Sequence, residues 1–257
     1  MSGPAIIANL GKGGAGKTIL SALCGKLAIA RGKKTLFVDA DPTLGLSTAL
    51  GEDGARTIGE AREEIIRQAK QAGKSPDAAA DLSDQIDYLL LQTLQERDGY
   101  GLLVMGRTQT IGCYCPVNRL LKDAIRAIAA HYDVVIIDAE AGIEQVNRQV
   151  VETVHYPLVI TDNSLRGAKT ALLVQQAIAQ SETMAPRKTG VIFNRVDQPD
   201  PALQQMLESA GLAVYGSIPV DPLVTERDRR GLSPLQMPAE AVSLQAIERI
   251  LTQEGVF

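Results

Sequence analysis

The sequence predicts a doubly wound α/β domain with a mainly parallel sheet of about 7–8 strands and helices on both faces, and three observations predict it. Short apolar runs alternate with amphipathic stretches almost from end to end. Two of those runs close on an aspartate, Asp39 and Asp138. A glycine-rich loop, Gly11-Lys12-Gly13-Gly14-Ala15-Gly16-Lys17-Thr18, separates the first apolar run from the first helix-forming stretch. With 257 residues, 45% of them hydrophobic, the chain is long enough to bury a large core as a single domain.

The elements follow in order. A strand is expected over 5–9, whose residues 5–8 form an apolar run as in a strand covered on both faces. An amphipathic helix is expected over 18–30, directly after the glycine-rich loop. Further strands are expected over 35–39, 101–105, 134–138, 158–161, 190–194 and 213–218, with helices over 117–131, 143–154, 165–181, 201–210 and 239–253 crossing between them. In such a sheet ligands bind at the carboxyl ends of the strands, where the loop, Asp39 and Asp138 all fall. Residues 57–95 break the rhythm. Two polar helical stretches, 58–71 and 82–95, flank a Gly73-Lys74-Ser75-Pro76 turn signal and read as a peripheral, solvated helical insertion within the domain.

A net charge of −4 disfavours a broad nucleic-acid footprint or an electrostatic hold on anionic lipid. No secretory leader pattern and no apolar run of bilayer length is present, so the expected location is cytoplasmic, without a membrane partner. Three cysteines, Cys24, Cys113 and Cys115, are too few for a disulfide scaffold and read as thiols.

The glycine-rich loop carries the chemistry of a nucleotide site. Glycines let successive backbone N–H groups turn toward a polyphosphate, and the following helix points its positive end at the same place. Lys17 has the position that reaches the terminal phosphates, and Thr18 that of a Mg²⁺ ligand. Transfer of a phosphoryl group to water also needs metal support and a group that orients the water. Asp39 and Asp138 are placed to hold Mg²⁺ through water, and Asp41, two residues beyond the strand end, to orient the attacking water. Taken singly, each aspartate reads as an N-cap or turn residue; their joint placement beside the loop points to function. Lys12 is a second cation in a loop already served by Lys17. Two subunits facing each other across their nucleotides would let each insert Lys12 into the other's site.

Cys113-Tyr114-Cys115 is the second informative feature. Residues i and i+2 of an extended segment project to one side, and thiolates are soft ligands suited to Ni²⁺, Zn²⁺, Cu⁺ or iron–sulfur clusters. Two sulfurs are half a site; on a two-fold axis, two chains complete it. Cys24, inside the first helix, reads as a small apolar filler.

The loop form Lys-Gly-Gly-Xaa-Gly-Lys-Thr resembles the deviant Walker A signature of the MinD/ParA/nitrogenase-iron-protein class, whose members form ATP-sandwich dimers. Asp39-Ala40-Asp41-Pro42 resembles its switch I and 138–142 its switch II. Phe193-Asn194-Arg195-Val196-Asp197 and Ile218-Pro219-Val220-Asp221 resemble its adenine-binding segments, which implies that Asn194 bonds the base and that Pro219 and Asp221 flank it. With the Cys113–Cys115 segment and the run from Asp138 to Glu144, the chain looks most like the CooC-type ATPases of carbon monoxide dehydrogenase maturation. That resemblance implies a homodimer with ATP, Mg²⁺ and Ni²⁺ or Zn²⁺, the metal bound by Cys113 and Cys115, and apo carbon monoxide dehydrogenase as client. Glu140 and Gln145 depart from the CooC-type pattern, which has glycine and histidine there. An electron carrier of the nitrogenase-iron-protein kind would need a cysteine in 138–147, and none occurs; the remaining alternative is a positioning or regulatory ATPase without metal delivery.

Overall fold

The computed structural model describes residues 3–72, 86, 88–107, 115–139, 154–181 and 186–256, and, of these, the side chains at 69–72 and 115–118 are not described. The chain opens with β1 (Ala5–Gly11), α1 (Lys17–Ala30), β2 (Thr35–Asp39), α2 (Gly45–Leu50) and α3 (Ile58–Ala72). After the edge hairpin β3 (Gln95–Arg97) and β4 (Tyr100–Val104) come α4 (Cys115–Ala129), β5 (Val134–Asp138) and β6 (Tyr156–Thr161). The chain ends with α5 (Leu165–Ala179), β7 (Gly190–Asn194), α6 (Pro201–Ser209), β8 (Ala213–Ile218), α7 (Pro222–Arg229), a 3₁₀ turn at Pro234–Gln236, and α8 (Val242–Gln253).

Eight strands form one sheet in the order β3-β4-β2-β5-β1-β6-β7-β8. All neighbours are parallel except β3 and β4, so the expected doubly wound fold is observed. The central strands are buried along their whole length, which is why their sequences are unbroken apolar runs. Two apolar clusters cover the two faces: one contains Val38, Ile137 and Phe193, the other Phe37, Ile136 and Ile192. Phe37 meets Tyr100 edge-on, with ring centroids 5.5 Å apart, and each such fully buried side chain contributes about 1.5–3 kcal/mol through burial.

Two local outcomes differ from the sequence expectation. Ile58, Ala61, Ile65 and Ile66 of α3 are buried in the first cluster together with Ile86, Leu89 and Leu90. The segment expected to be solvated thus presents an apolar stripe to the sheet and buries Arg62 as well. The helical turn at 88–91 ends before Gln95, where β3 begins, because Thr93 donates back to Leu90 O and the chain then pairs with β4. The expected helix over 143–154 lies outside the described residues, apart from buried Val154. Among the described residues no helix is long and apolar enough to cross a membrane.

His155 ties β1 to the start of β6. Its Nδ1 accepts from the Ile6 N–H at 3.0 Å, its own N–H donates to Ile6 O, and its carbonyl accepts from the Arg187 N–H. Acceptance at Nδ1 requires the neutral ring. Burial first, and the Arg187 charge second, hold its pKa below the usual histidine value. The unfolded chain therefore binds more protons between the two pKa values, so stability is intact above the unfolded pKa and falls as pH drops through it toward the folded one. Calorimetry should show a fall of about 1 kcal/mol, the net worth of the broken bond, or roughly 2–4 °C in Tm, on acidification through that window. His155→Asn should flatten that part of the profile.

Candidate functional site

Three adjacent strand ends meet in register: Asp39 of β2 pairs with Asp138 of β5, which pairs on its other side with Asn9 of β1. All three side chains are buried. Asp138 Oδ2 accepts from Thr18 Oγ1 at 2.7 Å and its Oδ1 from Ser21 Oγ at 3.1 Å. Ser21 Oγ in turn accepts from Asn9 Nδ2 at 2.9 Å. Thr18 and Ser21 sit three apart on α1 and so share the face that meets β5. Asp39 organises the exit from β2: its Oδ1 accepts from the Asp41 N–H at 3.2 Å and its Oδ2 from the Ser47 N–H at 2.8 Å. Burial pushes Asp138 up to about 7 against the Thr18 and Ser21 hydroxyls, with the Asp39 charge adding to the rise. Burial likewise raises Asp39 against the backbone donors.

The glycine-rich loop is fixed at both ends by close approaches. At Gly11 (φ +121°), a Cβ would lie 2.2 Å from Ile160 O, so only glycine lets β1 leave the sheet beside β6. At Gly16 (φ +89°), a Cβ would lie 2.4 Å from Asn194 Nδ2. Gly16 caps α1 without any side-chain bond, so the first N–H groups of that helix meet no capping side chain and face the loop, the arrangement that suits a phosphate. Lys17, nearly buried, donates from Nζ to Lys12 O at 3.3 Å.

The opposite wall comes from β7, β8 and α7. Asn194 Nδ2 donates to Ala15 O at 2.7 Å, and Arg195, held at φ +59°, donates to Gly14 O. Asp221 caps α7 by accepting from the Leu223 N–H at 3.0 Å, and its other oxygen accepts from Ser243 N and Oγ. Between these walls lies a cleft of about 630 Å³ lined by Gly13, Gly14, Gly16, Lys17, Thr18, Asp41, Asn194, Pro219 and Asp221. Asp41 faces it with Thr43, whose N–H and Oγ1 both donate to Asp41 Oδ1 at 2.8 and 2.7 Å.

The structure thus brings the loop, Asp41, Asn194, Pro219 and Asp221 to one cleft and sets Asp39 and Asp138 beneath it. Lys12 stands apart. It pairs with Asp162 of its own chain. Burial pushes the Asp162 carboxyl up, but the Lys12 and Ser164 donors outweigh it and leave the group below its usual range. Ser164 also caps α5 through the Gly167 N–H at 3.0 Å. Cys113 lies outside the described residues. Cys115 is the first residue of α4, which carries the chain from the carboxyl end of β4 back to the amino end of β5 and so starts on the cleft side of the sheet. Cys24 is fully buried, and burial pushes its thiol up to about 12, as befits a filler. Sequence reasoning missed Asn9, Ser21, Ser47 and Asp162. Ser21 had a signal in its three-residue spacing from Thr18; the others become partners only through strand register and tertiary approach.

The comparisons agree with this geometry. A family model described as the CobQ/CobB/MinD/ParA nucleotide binding domain matches residues 6–235. An uncharacterized ATP-binding protein of Methanocaldococcus jannaschii is 33% identical over 252 residues, covering 95% of this chain and 96% of that one. The carbon monoxide dehydrogenase accessory protein CooC of Rhodospirillum rubrum is 26% identical over 273 residues, covering 97% and 99%. Among solved structures, the cell division ATPase MinD of Pyrococcus furiosus superposes with a TM-score of 0.69 at 19% identity, over 98% of both chains. The septum site-determining protein MinD of Pyrococcus horikoshii, complexed with Mg-ADP, does so with 0.68 at 22% identity, over 98% and 96%. The chain belongs to the CobQ/CobB/MinD/ParA nucleotide binding domain family.

Proposed function

We propose that this chain is a homodimeric, ATP-hydrolysing metallochaperone that binds Ni²⁺ or Zn²⁺ through Cys113 and Cys115 and supports nickel insertion into carbon monoxide dehydrogenase. The observation that carries the reading is that a complete Lys12-bearing phosphate loop and a helix that opens at the second cysteine of a Cys-Xaa-Cys pair belong to one parallel sheet, each following the carboxyl end of one of its strands. The full-length likeness to an accessory protein of carbon monoxide dehydrogenase supports the choice of client.

In this reading the loop N–H groups and Lys17 hold the triphosphate of ATP, with the base against Asn194, Pro219 and the Asp221 segment. Thr18 donates its proton to Asp138, which leaves its oxygen lone pairs for a cation. With the buried Asp39 and Asp138 carboxylates behind it, this is an all-oxygen donor set that fits Mg²⁺, Thr18 as ligand and the aspartates through water. Bound there, Mg²⁺ supplies charge neutralisation on the phosphate oxygens. Asp41 orients the attacking water with Oδ2, since both Thr43 bonds fall on Oδ1. Lys12 exchanges Asp162 for the partner's nucleotide, where it stabilises the charge that develops in transfer.

Reconstitution tests the proposal. Apo carbon monoxide dehydrogenase incubated with Ni²⁺, MgATP and the wild-type protein should gain carbon monoxide oxidation well beyond that given by Ni²⁺ and MgATP alone. Cys113→Ala/Cys115→Ala should return it to that baseline. Equal activation by the double variant would remove the cysteines, and with them the chaperone, from the account.

A further inference from the structure

Beside the nucleotide cleft lies a second cavity of about 320 Å³, set between α2, α7 and the 3₁₀ turn and floored by the start of α1. It exists because its α2 wall is built from small residues, Gly45, Thr48 and Ala49, facing the larger apolar side chains of Ile19, Val224, Leu232 and Met237. Arg227 lines the same cavity. Its Nη2 is held by Ser233 O at 3.1 Å and Gln236 Oε1 at 3.2 Å, and its Nε is buried with no hydrogen-bond acceptor. Among the described residues no carboxylate pairs with this guanidinium. A fixed cation that no carboxylate neutralises among the described residues, on the wall of a mainly apolar pocket, is a site for an anion with an apolar body.

We propose that this cavity binds a small amphipathic carboxylate, its head group on Arg227 and its body against Ile19, Val224 and Met237, and that occupancy tightens nucleotide binding. Thr18, Ile19, Thr43, Val224 and Asp228 line both cavities. A ligand that fills the gap between α2 and α7 therefore orders two walls of the nucleotide cleft, and the ordering cost is then met before the nucleotide arrives. By linkage, the nucleotide must tighten carboxylate binding by the same factor. The proposed coupling rests on the nucleotide reading above; the carboxylate site itself does not.

The test uses octanoate as probe, octylamine as the charge control, and ADP, followed by isothermal titration calorimetry on the full chain. Octanoate should bind with about 1:1 stoichiometry and octylamine should not. Arg227→Gln should weaken octanoate at least about tenfold, or about 1.4 kcal/mol. Ala49→Trp, which fills the cavity from the α2 side, should block octanoate by an independent route. Saturating octanoate should tighten ADP about fivefold, and ADP should tighten octanoate by the same factor. Octanoate binding unchanged in both variants, or absent from the wild type, overturns the site. Octanoate binding with equal ADP affinity in its presence overturns the coupling. Failure of ADP to bind at all, with octanoate still dependent on Arg227, overturns the nucleotide reading and leaves the carboxylate site standing.

Discussion

Asp41→Ala should abolish ATP turnover while ATP-dependent dimerisation persists. Asp41 lies in the turn after β2, half-buried, with Oδ1 committed to Thr43. Its removal takes away the group proposed to orient water but leaves the phosphate loop, Lys17 and Thr18 untouched. Loss of a positioned acid–base group costs about 10²–10⁴-fold in rate, so phosphate release should fall to background. Binding should not change, because the turn is also held from below by Asp39, which accepts from the N–H groups of Asp41 and Ser47. Phosphate release and sedimentation with ATP, measured on the same sample, check both halves. Full turnover in the variant would reassign the water to another group; loss of dimerisation would make Asp41 structural.

The frame of this site was legible because its residues sit where two local signals coincide. Asp39 and Asp138 each close an apolar run that must be a buried strand, so their place at a carboxyl edge follows from patterning alone. What escaped was short or long-range. Helix α2 has six residues and enters through Leu44 at φ +60° without a capping side chain, so neither periodicity nor capping marks it. Helix α7 buries none of its residues and has no apolar stripe, although Asp221-Pro222 is an N-cap followed by an N1 proline. Strand β3 is three polar residues at the sheet edge. The pairing of Lys12 with Asp162 joins residues 150 apart. It gives the signature lysine a partner within its own protomer, which spacing in the sequence did not suggest.

The second large effect concerns the metal. Two chains each offering Cys113 and Cys115 provide four thiolates, a closed set for Ni²⁺ or Zn²⁺. In the proposed reading the metal should therefore bind between protomers, and, because Cys115 opens α4 on the side of the sheet that carries the nucleotide cleft, metal capture should promote the same dimer that ATP is expected to promote. Removal of the metal by a chelator, in the absence of nucleotide, should return the protein to monomer. Cys113→Ala/Cys115→Ala should keep its fold, its nucleotide cleft and its ATP-driven association, since Asp138 is held by Thr18 and Ser21 and Asp39 by the N–H groups of Asp41 and Ser47.

The most direct measurement is titration of Ni²⁺ or Zn²⁺ into wild-type and Cys113→Ala/Cys115→Ala protein, followed by analytical ultracentrifugation with and without ATP. The account predicts about one metal per two chains, sedimenting with a dimer, and no such binding in the double variant. One metal per monomer, or full binding without the two cysteines, would contradict it.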